Sequence, residues 1–344
     1  MSAPAPALVI LQYHHISADT PTVTSTSPAL FREHLKIIEE SGFEVVDLET
    51  VVKVMERRRG APPENAVLIT FDDSYSSIYT TAYPLLKERG WPFVVFANTE
   101  PVDRARPGFM TWNQLKEMAD NGAAIANHSV NHPHFVRRPA DTDMQSWRAQ
   151  AQREIQSAQA RIKTNIGQDY KVLAFPYGEY DAALLDLLEA LDFLGMSQVS
   201  GAVRPGDGLA MPRFPMGGRY GEPGDFRLKL KALPLPVDEV QLRDEDGRKL
   251  DDGLLPKSVT RPILEIRLND ASLNAGLQCY ASGQVEPISR REEGKVLVFQ
   301  ADKALPAGRS RYNCTMRNAE SGRYHWFSVA FLRPFADGSW PPEP

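Results

Sequence analysis

Three short clusters in this chain of 344 residues combine residue types that do hydrolytic chemistry. Asp72 and Asp73 follow directly on the apolar run Ala66–Phe71. Adjacent carboxylates at the tip of a buried strand repel each other and call for a cation or a shared proton; the plainer reading is one Asp capping the next helix and one solvated. His128 and His132 stand four apart, with His134 just beyond. That spacing predicts two imidazoles on one side of a helical turn, facing one ion. With one aspartate they form a three-ligand set that leaves a divalent metal open to water and substrate. The third cluster is Phe175-Pro-Tyr-Gly-Glu179, where proline fixes the backbone and glycine permits a tight turn, so that a main-chain N–H can face the same point.

The elements that must position these groups are legible as alternating β-type and helical stretches. The β-type runs are Ala7–Tyr13, Glu44–Leu48, Ala66–Phe71, Pro92–Ala97, Ala123–Asn127, Lys171–Phe175, Gly195–Val199 and Leu209–Phe214. Helical stretches lie between them, among them Pro28–Glu40, with Ser27 as N-cap and Gly42 as stop, and Leu48–Arg58. This order predicts an α/β fold with seven or eight βα units in a closed or nearly closed barrel, whose functional groups sit at the C-terminal ends of the strands. All three clusters follow such runs. After Leu230 the text changes to period-2 runs punctuated by turn residues, the pattern of an antiparallel sandwich. The division expected is 1–233 for the catalytic barrel and 234–344 for a smaller all-β unit. Trp326, Trp340, Tyr312 and Tyr324 in that unit suit either carbohydrate binding or a packing and scaffold role.

Thr70-Phe-Asp-Asp73, His128-Ser-Val-Asn-His132 and Phe175-Pro-Tyr-Gly178, in that order, resemble the first three motifs of the polysaccharide deacetylase (NodB-homology) family. The resemblance covers residues 7 to 230 and implies a distorted (β/α) barrel that removes acetyl groups from polymers, commonly of N-acetylglucosamine. It implies that Asp73, His128 and His132 ligate one divalent metal, Zn²⁺ foremost with Co²⁺ or Ni²⁺ as alternatives. Asp72 would be the general base, and the Tyr177 N–H would stabilise the oxyanion. Two departures stand out. The family's third motif usually carries an Arg that steers the catalytic carboxylate, and here that position is Ala174. Arg213, at the last barrel strand, is the candidate replacement, with a surface or structural role as the alternative. The family's late Leu-x-Leu-His motif is also missing, since no His lies between residues 135 and 324. Leu11-Gln-Tyr-His14 instead ends the first strand, similar to the poly-N-acetylglucosamine deacetylase branch in which this motif is displaced to the N-terminus. First and last strands of a barrel are neighbours, so His14 is the expected general acid ahead of His15. Trp112, Phe175 and Pro176, with Arg213, complete the residues expected around the substrate; both aromatics suit sugar stacking or core packing.

Composition narrows the partners. With 42% hydrophobic and 24% charged residues the chain has ample material for a core, and a net charge of −5 gives no footprint for a polyanion, so nucleic acid is not expected. No apolar stretch approaches the roughly 20 residues of a bilayer span, and Met1–Pro6 lacks the features of a secretory signal. Cys279 and Cys314 permit one disulfide or two buried thiols. The expected partner is an acetylated polysaccharide or oligosaccharide, which implies a periplasmic or extracellular location; oligomeric state does not follow. Competing readings are an O-acetyl esterase of the acetylxylan type and a noncatalytic sugar binder on the same fold.

Overall fold

The computed structural model describes residues 7–56, 64–139 and 141–342. The Met1–Pro6 lead and the expected helix end at Arg58 lie outside these residues.

Eight parallel strands form the first sheet: β1 (Leu8–Tyr13), β2 (Glu44–Val45), β3 (Ala66–Asp72), β4 (Phe93–Ala97), β5 (Ala123–Asn127), β6 (Val172–Ala174), β7 (Leu194–Met196) and β8 (Phe214–Pro215). Their order is β8-β1-β3-β4-β5-β6-β7, with β2 pairing β3 beside the main path. Every residue of β1, β3, β4 and β5 is buried, as expected when helices cover one face and the barrel interior fills the other. The polar residues Gln12, Thr70, Asp72 and Asn127 interrupt these apolar runs only toward their C-terminal ends.

The last strand is shorter than the expected Leu209–Phe214. Met211 bridges Met196, and Phe214 and Pro215 pair with Leu11 and Gln12. One segment thus spans from β7 to β1, but Pro212 and Pro215 offer no N–H and cannot sustain a longer ladder.

Helices connect the strands: α1 (Pro28–Ser41), α2 (Leu48–Glu56), α3 (Tyr83–Arg89), α4 (Trp112–Asp120), α5 (Met144–Ile166), α6 (Ala182–Ala190) and α7 (Pro223–Leu230). In α1 the Ser27 side chain accepts from the Leu30 N–H and Gly42 closes the helix in the left-handed region. No helix among the described residues is long and apolar enough to cross a membrane.

Two sheets follow, antiparallel but for the short strand Leu233–Pro234, which pairs in parallel. One contains β10 (Val237–Arg243), β12 (Ile263–Leu268), β14 (Ser289–Glu293) and β15 (Val296–Gln300), edged by β11 (Lys249–Leu250). The other contains β9 (Leu233–Pro234), β13 (Gln278–Ala281), β16 (Gly308–Arg317) and β17 (Tyr324–Arg333). Leu264, Ile266 and Phe299 of the first share one core with Tyr312, Phe327 and Phe331 of the second. Cys279 and Cys314 face each other across β13 and β16 and form a disulfide. Tyr312 is buried, with its hydroxyl donating to the Pro262 carbonyl, and Trp326 packs edge-on against Phe214 of the barrel. Tyr312 thus packs within this core, and Trp326 packs against the barrel.

Candidate active site

The site opens at the C-terminal ends of β1, β3, β5 and β6. Asp72 closes β3, and Asp73 adopts φ 63°. This left-handed residue turns the chain so that the two carboxylates diverge. Asp72, 1% exposed, meets the Arg213 guanidinium in a two-pronged pair, Nη1 to Oδ1 at 2.6 Å and Nη2 to Oδ2 at 2.7 Å. Arg213 is itself fixed, its Nε donating to the Ser197 carbonyl at 2.8 Å and its Nη1 to Thr70 Oγ1 at 3.3 Å. Gln12 of β1 adds a third donor, Nε2 to Asp72 Oδ2 at 2.5 Å. Burial alone would push the Asp72 carboxyl up, but Arg213, His128 and His14 outweigh it and hold the group well below the usual carboxylate range.

Asp73 turns toward the histidines instead. Its Oδ1 lies 3.8 Å from His128 Nε2 and 3.9 Å from His132 Nε2, and one donor atom from each of the three residues falls within a 4.8 Å cluster. These gaps exceed hydrogen-bond length and lie near the roughly 3.4 Å between donors on a tetrahedral ion at about 2.1 Å. His128 Nδ1 meets the Ala174 carbonyl at 2.8 Å; a carbonyl only accepts, so Nδ1 carries the proton and Nε2 keeps its lone pair toward Asp73. Burial lowers both imidazoles to about 4, against the opposing pull of Asp72, so both are neutral and able to ligate at pH 7. Tautomer, spacing and charge state all fit a divalent cation.

The His128–His132 segment is an irregular loop, not the expected helical turn. Ser129 and His132 have φ of 65° and 54°, yet the two rings meet at 4.7 Å. Hydrogen bonds from the flank hold this shape. Asn127 anchors to the Ile155 carbonyl and to Gln159 of α5, and accepts from the Ser129 N–H; Ser129 Oγ accepts from the His132 N–H; Glu154 accepts from the N–H groups of Val130 and Asn131. Four of the seven non-glycine residues with positive φ among the described residues, Asp73, Ser129, His132 and Tyr177, thus belong to this one site.

Tyr177 has φ 58°, and its ring lies 4.4 Å from that of His132 and stacks at 3.6 Å on His134. Behind it the buried Glu179 accepts from His134 at 3.0 Å and from Arg137 at 2.6 Å, and lies 3.6 Å from Arg309 of β16. His14, at the end of β1, is half-buried and close enough for its charge to act on both Asp72 and His132. His15 stacks on Tyr75 at 3.6 Å, and burial, then the nearby Asp73 charge, push the Tyr75 phenol up.

The residues expected around the substrate need correction. Phe175 is 1% exposed and packs with Tyr180 in the core beneath α6, so its ring offers no sugar platform. Pro176 is buried in the turn. Arg213 is fully buried with its guanidinium paired to Asp72, so it is not exposed to meet a substrate. Trp112 is half-buried at the start of α4, its indole N–H donating to Asp103 at 2.9 Å. Sequence reading missed Gln12, Tyr75, Ser129 and Glu179; for Gln12 the signal was a lone amide inside an apolar strand.

A parallel barrel with a carboxylate pair and two imidazoles at its mouth defines a hydrolase-type centre. Residues 59–196 match the family model described as polysaccharide deacetylase. YxkH of Bacillus subtilis, named for the same family, is 26% identical over 203 residues, which cover 59% of this chain and 68% of YxkH. The poly-β-1,6-N-acetyl-D-glucosamine N-deacetylase of Escherichia coli (strain K12) is 26% identical over 230 residues, covering 55% of this chain and 33% of that protein. The chain therefore spans a third of that relative's length. The solved structure of IcaB from Ammonifex degensii shares the fold with a TM-score of 0.58 at 24% identity, covering 67% of this chain and 99% of that one. The family match begins after His14 and Gln12 and ends before Arg213.

Proposed function

We propose that the chain is a divalent-cation-dependent N-deacetylase of N-acetylglucosamine polymers, with poly-β-1,6-N-acetylglucosamine as the leading substrate. The convergence of Asp73, His128 and His132 beside an Arg-clamped Asp72 carries this reading, and the name of the Escherichia coli relative supports the polymer. Residues 1–233 form the catalytic part and 234–344 a scaffold against it.

Asp73, His128 and His132 would hold the cation, and two imidazoles with one carboxylate suit Zn²⁺, with Co²⁺ or Ni²⁺ as alternatives. When bound, it supplies Lewis acidity at the acetyl carbonyl and at the attacking water. Asp72, kept ionised by Arg213, receives the proton of the water as its oxygen attacks the amide carbon. The Tyr177 main-chain N–H is assigned to the developing oxyanion. His14 gives a proton to the departing amine as the C–N bond breaks, which yields acetate and a free amino sugar. The Cys279–Cys314 disulfide supports an oxidising periplasmic or extracellular setting, where such polymers occur.

Acetate release tests the reading across poly-β-1,6-N-acetylglucosamine, chitin oligomers, peptidoglycan and acetylxylan, with and without chelator. Chelator-sensitive acetate from the β-1,6 polymer is expected. Release from acetylxylan alone would make the chain an O-acetyl esterase, and release from none would favour a sugar-binding protein.

A further inference from the structure

We propose that Gln12 is a positioning residue for the catalytic base, and that it selects Oδ1 of Asp72 as the oxygen that takes the proton. The inference rests on the deacetylase reading above and adds to it a residue from outside the family-matched segment.

An ionised carboxylate offers about four acceptor positions, two on each oxygen. Arg213 fills one on each oxygen of Asp72, which fixes the carboxylate plane but leaves its two oxygens equivalent. Gln12 breaks this symmetry. Its Nε2 donates to Oδ2 at 2.5 Å, so Oδ2 carries two donors and Oδ1 one. Oδ1, with one donor, keeps an acceptor position open for a proton from water.

The surroundings of Gln12 favour a functional role over a packing one. The residue is 1% exposed on β1, among Ile10, Leu11 and Tyr13, where an apolar side chain would avoid the cost of burying an amide. The amide nitrogen must face Asp72, because an ionised carboxylate cannot donate. That orientation leaves Gln12 Oε1 buried with no donor among the described residues. A chain that keeps a half-satisfied amide at this place gains from the one bond the amide does make. The main chain holds Gln12 still, its carbonyl accepting from the Met216 N–H at 2.9 Å in the segment that carries Arg213. Both donors to Asp72 are thus set by the same closure of the barrel.

The test compares Gln12→Met, of similar length without a donor, and Gln12→Glu, which sets a second carboxylate against Asp72. Acetate release from the β-1,6 polymer and hydrolysis of 4-nitrophenyl acetate are measured with bound metal per chain and Tm. The expected result is a kcat lower by about 10- to 100-fold on both substrates for Gln12→Met, with KM, metal content and Tm unchanged, and a kcat lower again for Gln12→Glu at unchanged metal content. A kcat within twofold of the unmodified protein overturns the proposal. So does a rise in KM at constant kcat, which would make Gln12 a substrate contact, or a fall in Tm or metal content that accounts for the lost rate. Activity on the ester without activity on any glycan removes the proposed substrate and leaves the Gln12 comparison intact on the ester. Silence of the unmodified protein toward both overturns both.

Discussion

At the scale of single residues, the two adjacent aspartates have separate environments and therefore separate expected phenotypes. Asp72→Asn keeps the volume and the cation ligands but loses the base, so kcat is expected to fall by about 10²- to 10⁴-fold while metal content holds. Loss of metal together with activity would show the two roles reversed. His14→Ala is expected to slow amide substrates by about 10²-fold or more and activated acetyl esters much less, because only the amine needs a proton to leave. Equal losses on both would remove His14 as the acid. The clustering of Asp73, His128 and His132 was legible in the sequence because each ends or follows a strand. Phe175 was misread because its place after β6 is the same whether the ring faces the mouth or the core, and only packing against Tyr180 decides. Arg213 stood out in the sequence as a candidate partner for the Asp72 carboxylate, a pairing the structure contains, but its complete burial was not legible.

At the scale of elements, the barrel strands were readable because parallel strands buried on both faces appear as continuous apolar runs. The loop after β5 was not. An i, i+4 histidine pair has the same spacing in a helix and in this loop, and the left-handed residues Ser129 and His132 carry no mark in their side chains. The strand expected over Leu209–Phe214 shrank because prolines at 212 and 215 remove donors. The turn carrying Tyr177 leans on Glu179, whose buried carboxylate binds His134 and Arg137. Glu179→Ala leaves the Arg137 charge without this partner, so stability is expected to fall by about 3 kcal/mol and kcat to fall with it. Urea midpoints check the first effect and initial rates the second. An unchanged midpoint would show that the cluster contributes nothing to the fold.

At the scale of the whole molecule, stability should depend on pH through His34. Its ring is fully buried against Phe226, with Nε2 2.6 Å from the Gly221 carbonyl, tying α1 to the turn before α7. Burial lowers it to about 4 from an ordinary value of 6.5. Below pH 6.5 the unfolded chain therefore takes up a proton before the folded one, and the stabilisation present above that pH is lost as pH falls toward 4. The loss amounts to about 3 kcal/mol at the low end. Urea midpoints from pH 7 to pH 4 should fall less steeply in His34→Gln than in the unmodified protein; parallel slopes would contradict this. The sandwich-like pattern after Leu230 was visible in period-2 runs, but not the disulfide, since two cysteines in neighbouring strands read alike whether bonded or free.

All of this chemistry requires that residues 73, 128 and 132 meet at a single ion. Titration of zinc into chelator-treated protein, followed calorimetrically, measures that directly. One equivalent is expected to bind to the unmodified chain and none with comparable affinity to His128→Ala; equal binding by both would place the ion elsewhere and contradict the account.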